Sequence, residues 1–270
     1  MNSELISSAQ NPRIKHLLTL QQKSSLRREE GLFVVEGQRE LQHCIEAQYE
    51  IDSLFVKDNE ACLSFTTSLT SKALCEAPIC RISPHAYERI AYRGSTEGVI
   101  AIVRSRNTFL TDLKLSPAPL LMVLESVEKP GNLGAILRSA DAAHADAVIV
   151  CDPLTDLTNP NLIRASLGAF FTVPTVACSS ADCISFLQKR GIQILTAQLQ
   201  DSLPYYDTPM TGPTAIVMGT ESTGLTQQWR SAATAHIRIP MQGRLDSLNV
   251  SVSAAILLFE AVRQRQLQQP

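Results

Sequence analysis

Two polar, glycine-containing segments late in the chain carry the residue types of a ligand-binding site. Residues Gly219 to Leu225 read GTESTGL and follow the apolar run Thr214 to Met218. Residues Leu245 to Ser251 read LDSLNVS and follow the apolar run Ile237 to Ile239. Glycine lets a backbone approach a flat polar ligand closely and adopts conformations that other residues avoid. Because a close-packed core would place methyl groups here, we interpret both segments as ligand-binding loops.

A third segment, Pro130 to Ala140, reads PGNLGAILRSA and places two polar side chains on a helical pattern. Its apolar residues recur at i, i+3, i+4 and i+7, which predicts an amphipathic helix. Asn132 is well placed as the N-cap of that helix, and Arg138 follows two turns later.

Composition and charge restrict the class of protein. The chain has 270 residues, of which 44% are hydrophobic, enough for one large domain or two modest ones. A net charge of -2 does not indicate a nucleic-acid binder, because neutralisation of many phosphates usually requires a basic chain, so any RNA contact must be local. The candidate basic clusters are Arg13 with Lys15, then Lys23, Arg27 and Arg28, and then Arg104 with Arg106.

Targeting and metal signals are lacking in the sequence. It shows neither a signal peptide nor a run of about eighteen uncharged apolar residues, so we expect a soluble, cytoplasmic protein without membrane contact. The seven cysteines form no CxxC pair and have no metal-ligand spacing with the histidines. The spacing therefore predicts neither a disulfide framework nor a metal site.

From Leu120 onward, apolar runs alternate with helix-like segments. Near-continuous apolar runs are typical of strands buried on both faces of a parallel sheet. The predicted strands are Leu121 to Leu124, Ala147 to Cys151, Phe171 to Val176, Ile192 to Thr196, Thr214 to Met218 and His236 to Ile239. Besides the Pro130 segment, the predicted helices are Asn159 to Phe170, Ala181 to Arg190, Leu225 to Ala233 and Val250 to Leu267. The pattern predicts an α/β domain over residues 120–270.

The first hundred residues show a shorter version of this alternation. The predicted strands are Leu32 to Val35, Ile51 to Val56 and Gly98 to Val103, and the predicted helix is Gln38 to Ala47. We therefore expect a small α/β domain over residues 1–106, in which residues 2–28 form a loosely held arm or helix. Residues 107–119, which end in two prolines, are interpreted as the linker.

Taken in order, the three segments resemble the motifs of the SpoU (TrmH-like) branch of the SPOUT methyltransferases. Members of this family methylate ribose 2′-hydroxyls of RNA with S-adenosylmethionine. The absence of an early GxGxxG turn argues against an ordinary dinucleotide fold. The N-terminal half resembles the family's L30e-like substrate-binding domain through Phe33 to Gly37 and Gly94 to Val99. The resemblance implies a deep trefoil knot within about residues 219–258, a homodimer and structured RNA as the partner, with no metal.

The resemblance also implies roles for individual residues. The positions matching the family's cofactor site are Leu195, Thr196, Gly219, Ile239, Met241 and Leu248. The positions matching its catalytic site are Asn132, Arg138, Glu221, Ser247 and Asn249. A guanidinium has a pKa above about 12, so Arg138 would hold a phosphate and stabilise an alkoxide, or act as a base only if neighbouring charges perturb it.

Simpler structural explanations exist for the same residues. Core packing would account for Ile239, Met241 and Leu248, and helix capping for Asn132 and Asn249. An exposed surface or loop position would account for Arg138 and Glu221. The sequence thus favours an RNA 2′-O-ribose methyltransferase acting on ribosomal RNA. The alternatives are a transfer RNA substrate, a non-catalytic RNA-binding or assembly protein, and base methylation by another SPOUT branch.

Overall fold

The computed structural model describes residues 5–69, 77–92, 97–220 and 222–268. Two compact units are formed. The first comprises residues 1–107 and 156–172, and the second comprises residues 108–155 and 173–270. The second unit therefore begins before residue 120, and the chain leaves it once, between residues 156 and 172, to join the first unit.

The secondary structure alternates along most of the chain. The strands are β1 (Leu5–Ile6), β2 (Leu32–Glu36), β3 (Ile51–Lys57), β4 (Ile79–Ile82), β5 (Val99–Arg104), β6 (Leu120–Glu125), β7 (Ala147–Cys151), β8 (Thr175–Cys178), β9 (Gln193–Ala197), β10 (Leu203–Pro204), β11 (Thr214–Met218) and β12 (Ala235–Arg238). The helices are α1 (Pro12–Gln22), α2 (Ser24–Glu30), α3 (Gln38–Glu46), α4 (Glu60–Ser68), α5 (Pro84–Ile90), α6 (Pro130–Ala142), α7 (Pro160–Ser166), α8 (Ala169–Thr172), α9 (Ser180–Lys189), α10 (Gln227–Ala232) and α11 (Val250–Gln266). Short 3₁₀ turns cover Leu110–Asp112 and Tyr205–Asp207.

The first unit is built on a mixed sheet with strand order β1-β4-β3-β5-β2. Strand β5 runs antiparallel to both of its neighbours, while β4 runs parallel to β1 and β3. The predicted strands at Leu32, Ile51 and Gly98 are all present in this sheet, each displaced by one residue at most. Residues 93–96, which include part of the Gly94 to Val99 motif, lie outside the described residues.

Most of the segment over residues 2–28 is helical, which was one of the two predicted forms, but the prediction that it is loosely held was wrong for α1 and α2. Ile14, Leu17 and Leu20 recur every third residue in α1 and are fully buried in the core of the first unit. Arg27 is also buried, because its guanidinium donates to Asp156 Oδ2 at 2.8 Å and to the Leu20 carbonyl at 2.6 Å. Arg27 is therefore a structural residue of this unit and is not available as part of the predicted basic cluster.

Within residues 156–172, the structure differs from the prediction in two elements. The helix predicted over Asn159 to Phe170 breaks at Leu167 and Gly168, which both have positive φ, and a Cβ at Gly168 would collide with the His43 ring. Phe171 belongs to α8 and not to a strand, since it stacks on Phe33 in the core of the first unit. Strand β8 begins only at Thr175.

The second unit contains a parallel sheet with strand order β10-β12-β9-β11-β6-β7-β8. Strands β6, β7 and β11 are buried along their full length, as their continuous apolar sequences predicted. The segment interpreted as a linker contributes Leu113 to the core of this unit, where Trp229 is fully buried. The predicted α/β class with helices flanking a parallel sheet is confirmed.

Parallel pairing places the carboxyl ends of neighbouring strands at one edge of the sheet, where the loops that follow them meet. The loops after β9, β11 and β12 lie at this edge, because β9 pairs with both other strands.

The sequence suggested Asn132 as the N-cap of α6, and this prediction was wrong. The helix begins at Pro130 with Lys129 as the cap residue, since proline favours the first helical position. None of the helices in the described ranges combines the length and apolarity that a membrane span requires.

Candidate functional site

A cavity of about 420 Å³ lies within the second unit, between the loops after β9, β11 and β12 and the start of α11. Its apolar wall includes Leu225 and Leu257, and its polar wall includes Gln198, Asp246 and Ser253. A cavity of this size with a few polar groups on apolar walls is typical of small-molecule and cofactor sites.

The structure brings most of the predicted cofactor residues to this cavity. Gly219, Ile239, Met241 and Leu248 line it, together with the predicted catalytic residue Ser247. Met241 is half-buried and Leu248 is exposed, so core packing does not explain them.

Two predicted cofactor residues lie elsewhere. Leu195 and Thr196 are buried within β9 and do not line the cavity. The Thr196 hydroxyl is 2.6 Å from His236 Nδ1 on the neighbouring strand. Both residues support the strand that leads into the cavity wall at Ala197 and Gln198.

The loop after β11 is closed on itself. A Cβ at Gly219 would collide with the carbonyl group of Gly224 and lie 2.6 Å from the Leu225 nitrogen, so the two ends of the loop cross at backbone distance. The Thr220 hydroxyl accepts from the Thr223 N–H at 3.0 Å and bonds its hydroxyl at 2.7 Å. Position 219 must therefore be glycine for steric reasons. Glu221 lies outside the described residues.

A buried carboxylate that the sequence analysis missed anchors the far end of this loop. Glu125, at the end of β6, accepts from the Thr226 N–H at 2.8 Å and the Thr226 hydroxyl at 2.7 Å. The Ser180 hydroxyl donates to Glu125 Oε1 at 3.4 Å and accepts from Trp229 Nε1 at 2.9 Å. An acidic residue ending the apolar run Leu120 to Leu124 was the signal available in the sequence.

Asn132 and Asn249 meet at the start of α11. Asn249 is the N-cap of this helix, where its Oδ1 accepts from the Ser251 N–H at 2.9 Å and the Ser251 hydroxyl at 2.6 Å. Its Nδ2 donates to Asn132 Oδ1 at 3.2 Å. Asn249 therefore caps the helix and pairs with Asn132 at the same time. Ser247, two residues before the cap, donates to Asp246 Oδ1 at 3.1 Å.

Arg138 stands apart from the cavity. It is exposed on α6, does not line the cavity and makes no ion pair with a described residue. Helix α6 nevertheless packs against α11, which carries Asn249 at its start. The guanidinium is therefore free to contact a ligand or another chain.

Comparisons with known proteins place this site in a family. Residues 119–259 match the SpoU rRNA Methylase family, and residues 11–101 match the MRM3-like substrate binding domain. A 23S rRNA (guanosine-2′-O-)-methyltransferase RlmB from Vibrio parahaemolyticus is 36% identical over 203 residues, which cover 73% of this chain and 82% of that protein. The 23S rRNA (guanosine(2553)-2′-O)-methyltransferase RlmP from Bacillus subtilis is 26% identical over 254 residues, covering 94% and 97% of the two chains.

Two solved structures are similar to this protein over almost the whole chain. The crystal structure of an RNA 2′-O ribose methyltransferase has a TM-score of 0.84 at 36% identity and covers 97% of this chain and 100% of its own. The AdoMet-bound rRNA methyltransferase from Sinorhizobium meliloti has a TM-score of 0.87 at 27% identity, covering 97% and 98%. The chain belongs to the SpoU rRNA methylase family. The predicted enzyme class, an RNA methyltransferase that uses S-adenosylmethionine, is confirmed, whereas the trefoil knot stays a prediction.

Proposed function

We propose that this enzyme methylates the ribose 2′-hydroxyl of a guanosine in ribosomal RNA of the large subunit. The proposal rests on how much of the chain its relatives match. Relatives named for guanosine 2′-O-methylation of 23S rRNA match 94% and 73% of the chain, and so extend into both halves. A structure described for 2-OH methylation of C/U34 on tRNA covers only 57% of this chain, with a TM-score of 0.50. A ribosomal substrate also favours the cytoplasm as the place of action.

The cavity beside Gly219 fits S-adenosylmethionine in size and chemistry. Ile239, Met241 and Leu248 provide apolar surface for the adenine, while the glycine backbone permits main-chain contacts with its polar edge. Asp246 and Ser253 offer polar groups for hydroxyl and amino functions. When bound, the cofactor supplies an electrophilic methyl group on a sulfonium.

The polar pair Asn132 and Asn249, with Ser247, is proposed to position the substrate ribose and its phosphate. Their amide and hydroxyl groups both donate and accept hydrogen bonds, as a sugar-phosphate requires. Arg138 would bind the phosphate and stabilise the developing alkoxide, since a free guanidinium is a poor base at neutral pH. Glu221 remains a proposed anchor for that guanidinium.

A homodimer would complete the site. Arg138 does not line the cavity of its own chain, so a second copy is proposed to supply it. Helix α11 presents Val252 and Phe259 to solvent, each about half exposed, beside the exposed Leu245 and Leu248. Apolar residues concentrated on one helix and the loop before it are typical of an interaction surface.

The first unit is proposed to capture structured RNA. Arg13 and Lys15 on α1 are exposed, as are Lys23 and Arg28 around α2. These side chains supply a local positive surface on a chain of net negative charge, as phosphate contacts require. The double substitution Lys15→Glu and Arg28→Glu should weaken RNA binding and leave S-adenosylmethionine binding unchanged.

Mapping ribose methylation in cells that lack the gene tests the proposed substrate. We expect one 2′-O-methylguanosine to disappear from large-subunit RNA and to return when the wild-type gene, but not the Arg138→Ala variant, is supplied. Loss of a transfer RNA methylation instead would favour the tRNA alternative. Unchanged methylation in all RNAs, with altered ribosomal subunit profiles, would favour a non-catalytic assembly protein.

A further inference from the structure

Three cysteines of the second unit converge although they are far apart in the sequence. Cys151 ends β7 and Cys178 ends β8, and the two residues are direct partners in the parallel pairing of these strands. Cys183 lies in the first turns of α9. The three Sγ atoms all lie within 4.8 Å of one another. Residue separations of 27 and 5 positions gave no metal-ligand signal in the sequence.

The spacing of the sulfur atoms suits a single ion. At a typical zinc–sulfur distance of about 2.3 Å, sulfur ligands of one ion lie roughly 4 Å apart. The observed limit of 4.8 Å is therefore within a small side-chain rotation of the required geometry. Among the described residues, no histidine, carboxylate or further cysteine completes a fourth position in this cluster. Thiolate-rich sites select soft cations.

The three thiols differ in their exposure. Cys151 and Cys183 are fully buried, whereas Cys178 is half-buried. An ion that approaches from solvent would therefore meet Cys178 first.

We propose that Cys151, Cys178 and Cys183 form a three-thiolate site for a soft, thiophilic cation, Zn(II) or Cu(I). Binding replaces the three S–H bonds by three metal–sulfur bonds and releases up to three protons to solvent. The bound ion links the ends of β7 and β8 to α9, so it stabilises the second unit. The site lies on the opposite half of the sheet from the cavity strands β9 and β12, and it is independent of methyl transfer.

Metal titration of the reduced, metal-free, full-length protein tests the proposal. Zn(II) and Cu(I) are added in separate experiments, and Cd(II) serves as a spectroscopic probe. We expect one ion per chain, thiolate-to-metal charge-transfer absorption, and a rise in the unfolding temperature that grows with free metal concentration. X-ray absorption with three sulfur ligands and one oxygen would identify zinc with a bound water, and three sulfurs alone would identify copper.

A matched pair of variants assigns the site. Cys178→Ser changes the half-buried member of the cluster, and Cys44→Ala changes a fully buried cysteine of the first unit. We expect the first variant to bind metal at least about a hundredfold more weakly, because it loses a direct ligand and loss of an outer-shell partner alone costs about 10–100-fold, and the second to bind as the wild type does. Equal binding by the wild type and Cys178→Ser would overturn the proposal.

Thiol protection gives a readout that requires no variant. Alkylation of the native wild-type protein, followed by peptide mass spectrometry, reports Cys178 separately from the other cysteines. Stoichiometric metal should slow alkylation of Cys178 at least about tenfold, because the lone pair that attacks the reagent is engaged in the metal bond. Alkylation of Cys178 at the same rate with and without metal would refute the site even if Cys178→Ser failed to fold.

Discussion

Replacing Glu125 by alanine tests whether one buried carboxylate holds the cofactor loop in place. Glu125 is 3% exposed and accepts both the N–H and the hydroxyl of Thr226, the residue that follows the GTESTGL loop. Alanine would remove both hydrogen bonds from the exposed Thr226 to the carboxylate and would leave the buried Ser180 hydroxyl without this acceptor. Because a hydrogen bond to a charged group contributes about 1.5–3 kcal/mol, we expect a loss of roughly 3 kcal/mol in the free energy of unfolding.

The same substitution should weaken cofactor binding. Without Glu125, the loop end at Leu225 and Thr226 samples other positions, and the cavity wall is formed only part of the time. If the competent arrangement falls to about a tenth of the population, the apparent Kd for S-adenosylmethionine rises about tenfold. Thr226→Val is the matched control, since it removes only the hydroxyl bond and should cost about 1 kcal/mol with little change in Kd.

Denaturant titration followed by the fluorescence of Trp229, the single tryptophan, measures stability, and calorimetry measures S-adenosylmethionine binding. Trp229 is suitable because its Nε1 bonds Ser180, which also contacts Glu125. A Glu125→Ala protein with lower stability but wild-type Kd would refute the positioning role and leave Glu125 as a purely structural residue. Unchanged stability would show that the hydrogen-bond network contributes no net free energy.

Three further predictions concern other residues. Arg138→Ala should lower methyl transfer by at least about a hundredfold and leave the S-adenosylmethionine Kd unchanged, as single-turnover assays and calorimetry would show; substantial turnover would reject its role. Gly219→Ala should abolish cofactor binding because its Cβ meets the Gly224 backbone, whereas Gly243→Ala, which meets no atom within 4 Å, should bind normally in the same calorimetric assay. Burial raises the pKa of Glu36, so its charged form is disfavoured in the folded state and its contribution to stability is lost as pH rises through that pKa. Glu36→Gln should therefore raise the unfolding free energy at neutral pH, and the gain should vanish below pH 4.5, the ordinary value; a gain that does not depend on pH would contradict this reasoning.

The sequence correctly predicted the strands whose own residues are apolar along their whole length. Ala147 to Cys151 and Thr214 to Met218 were predicted with the bounds that the structure shows, because their apolar runs are buried on both faces of one sheet. Phe171 was misplaced because apolarity does not indicate which core receives a side chain, and here it is the core of the first unit. The start of α6 was misplaced because Pro130 determines the first turn more strongly than Asn132.

The candidate site was predictable where a local pattern carries it. Gly219 and Leu248 were found through their motifs and Met241 through the family resemblance, and all three line the cavity. Glu125 and the thiols of Cys151, Cys178 and Cys183 were missed because their significance arises only from pairing between distant strands. A single acidic residue or an isolated cysteine has the same local sequence whether or not tertiary structure gives it a partner.

Sheet register explains why the end of β6 matters to a loop that follows β11. Leu124 and Met218 are direct partners in the parallel pairing of the two strands, so Glu125, the last residue of β6, lies beside Gly219, the first residue after β11. Gly219 fixes the start of the loop by close backbone contact, and Glu125 fixes its end through Thr226. The cavity wall between them is therefore set by two adjacent buried strands. A preorganised wall of this kind lowers the entropic cost of binding the cofactor, because the loop is ordered before the ligand arrives.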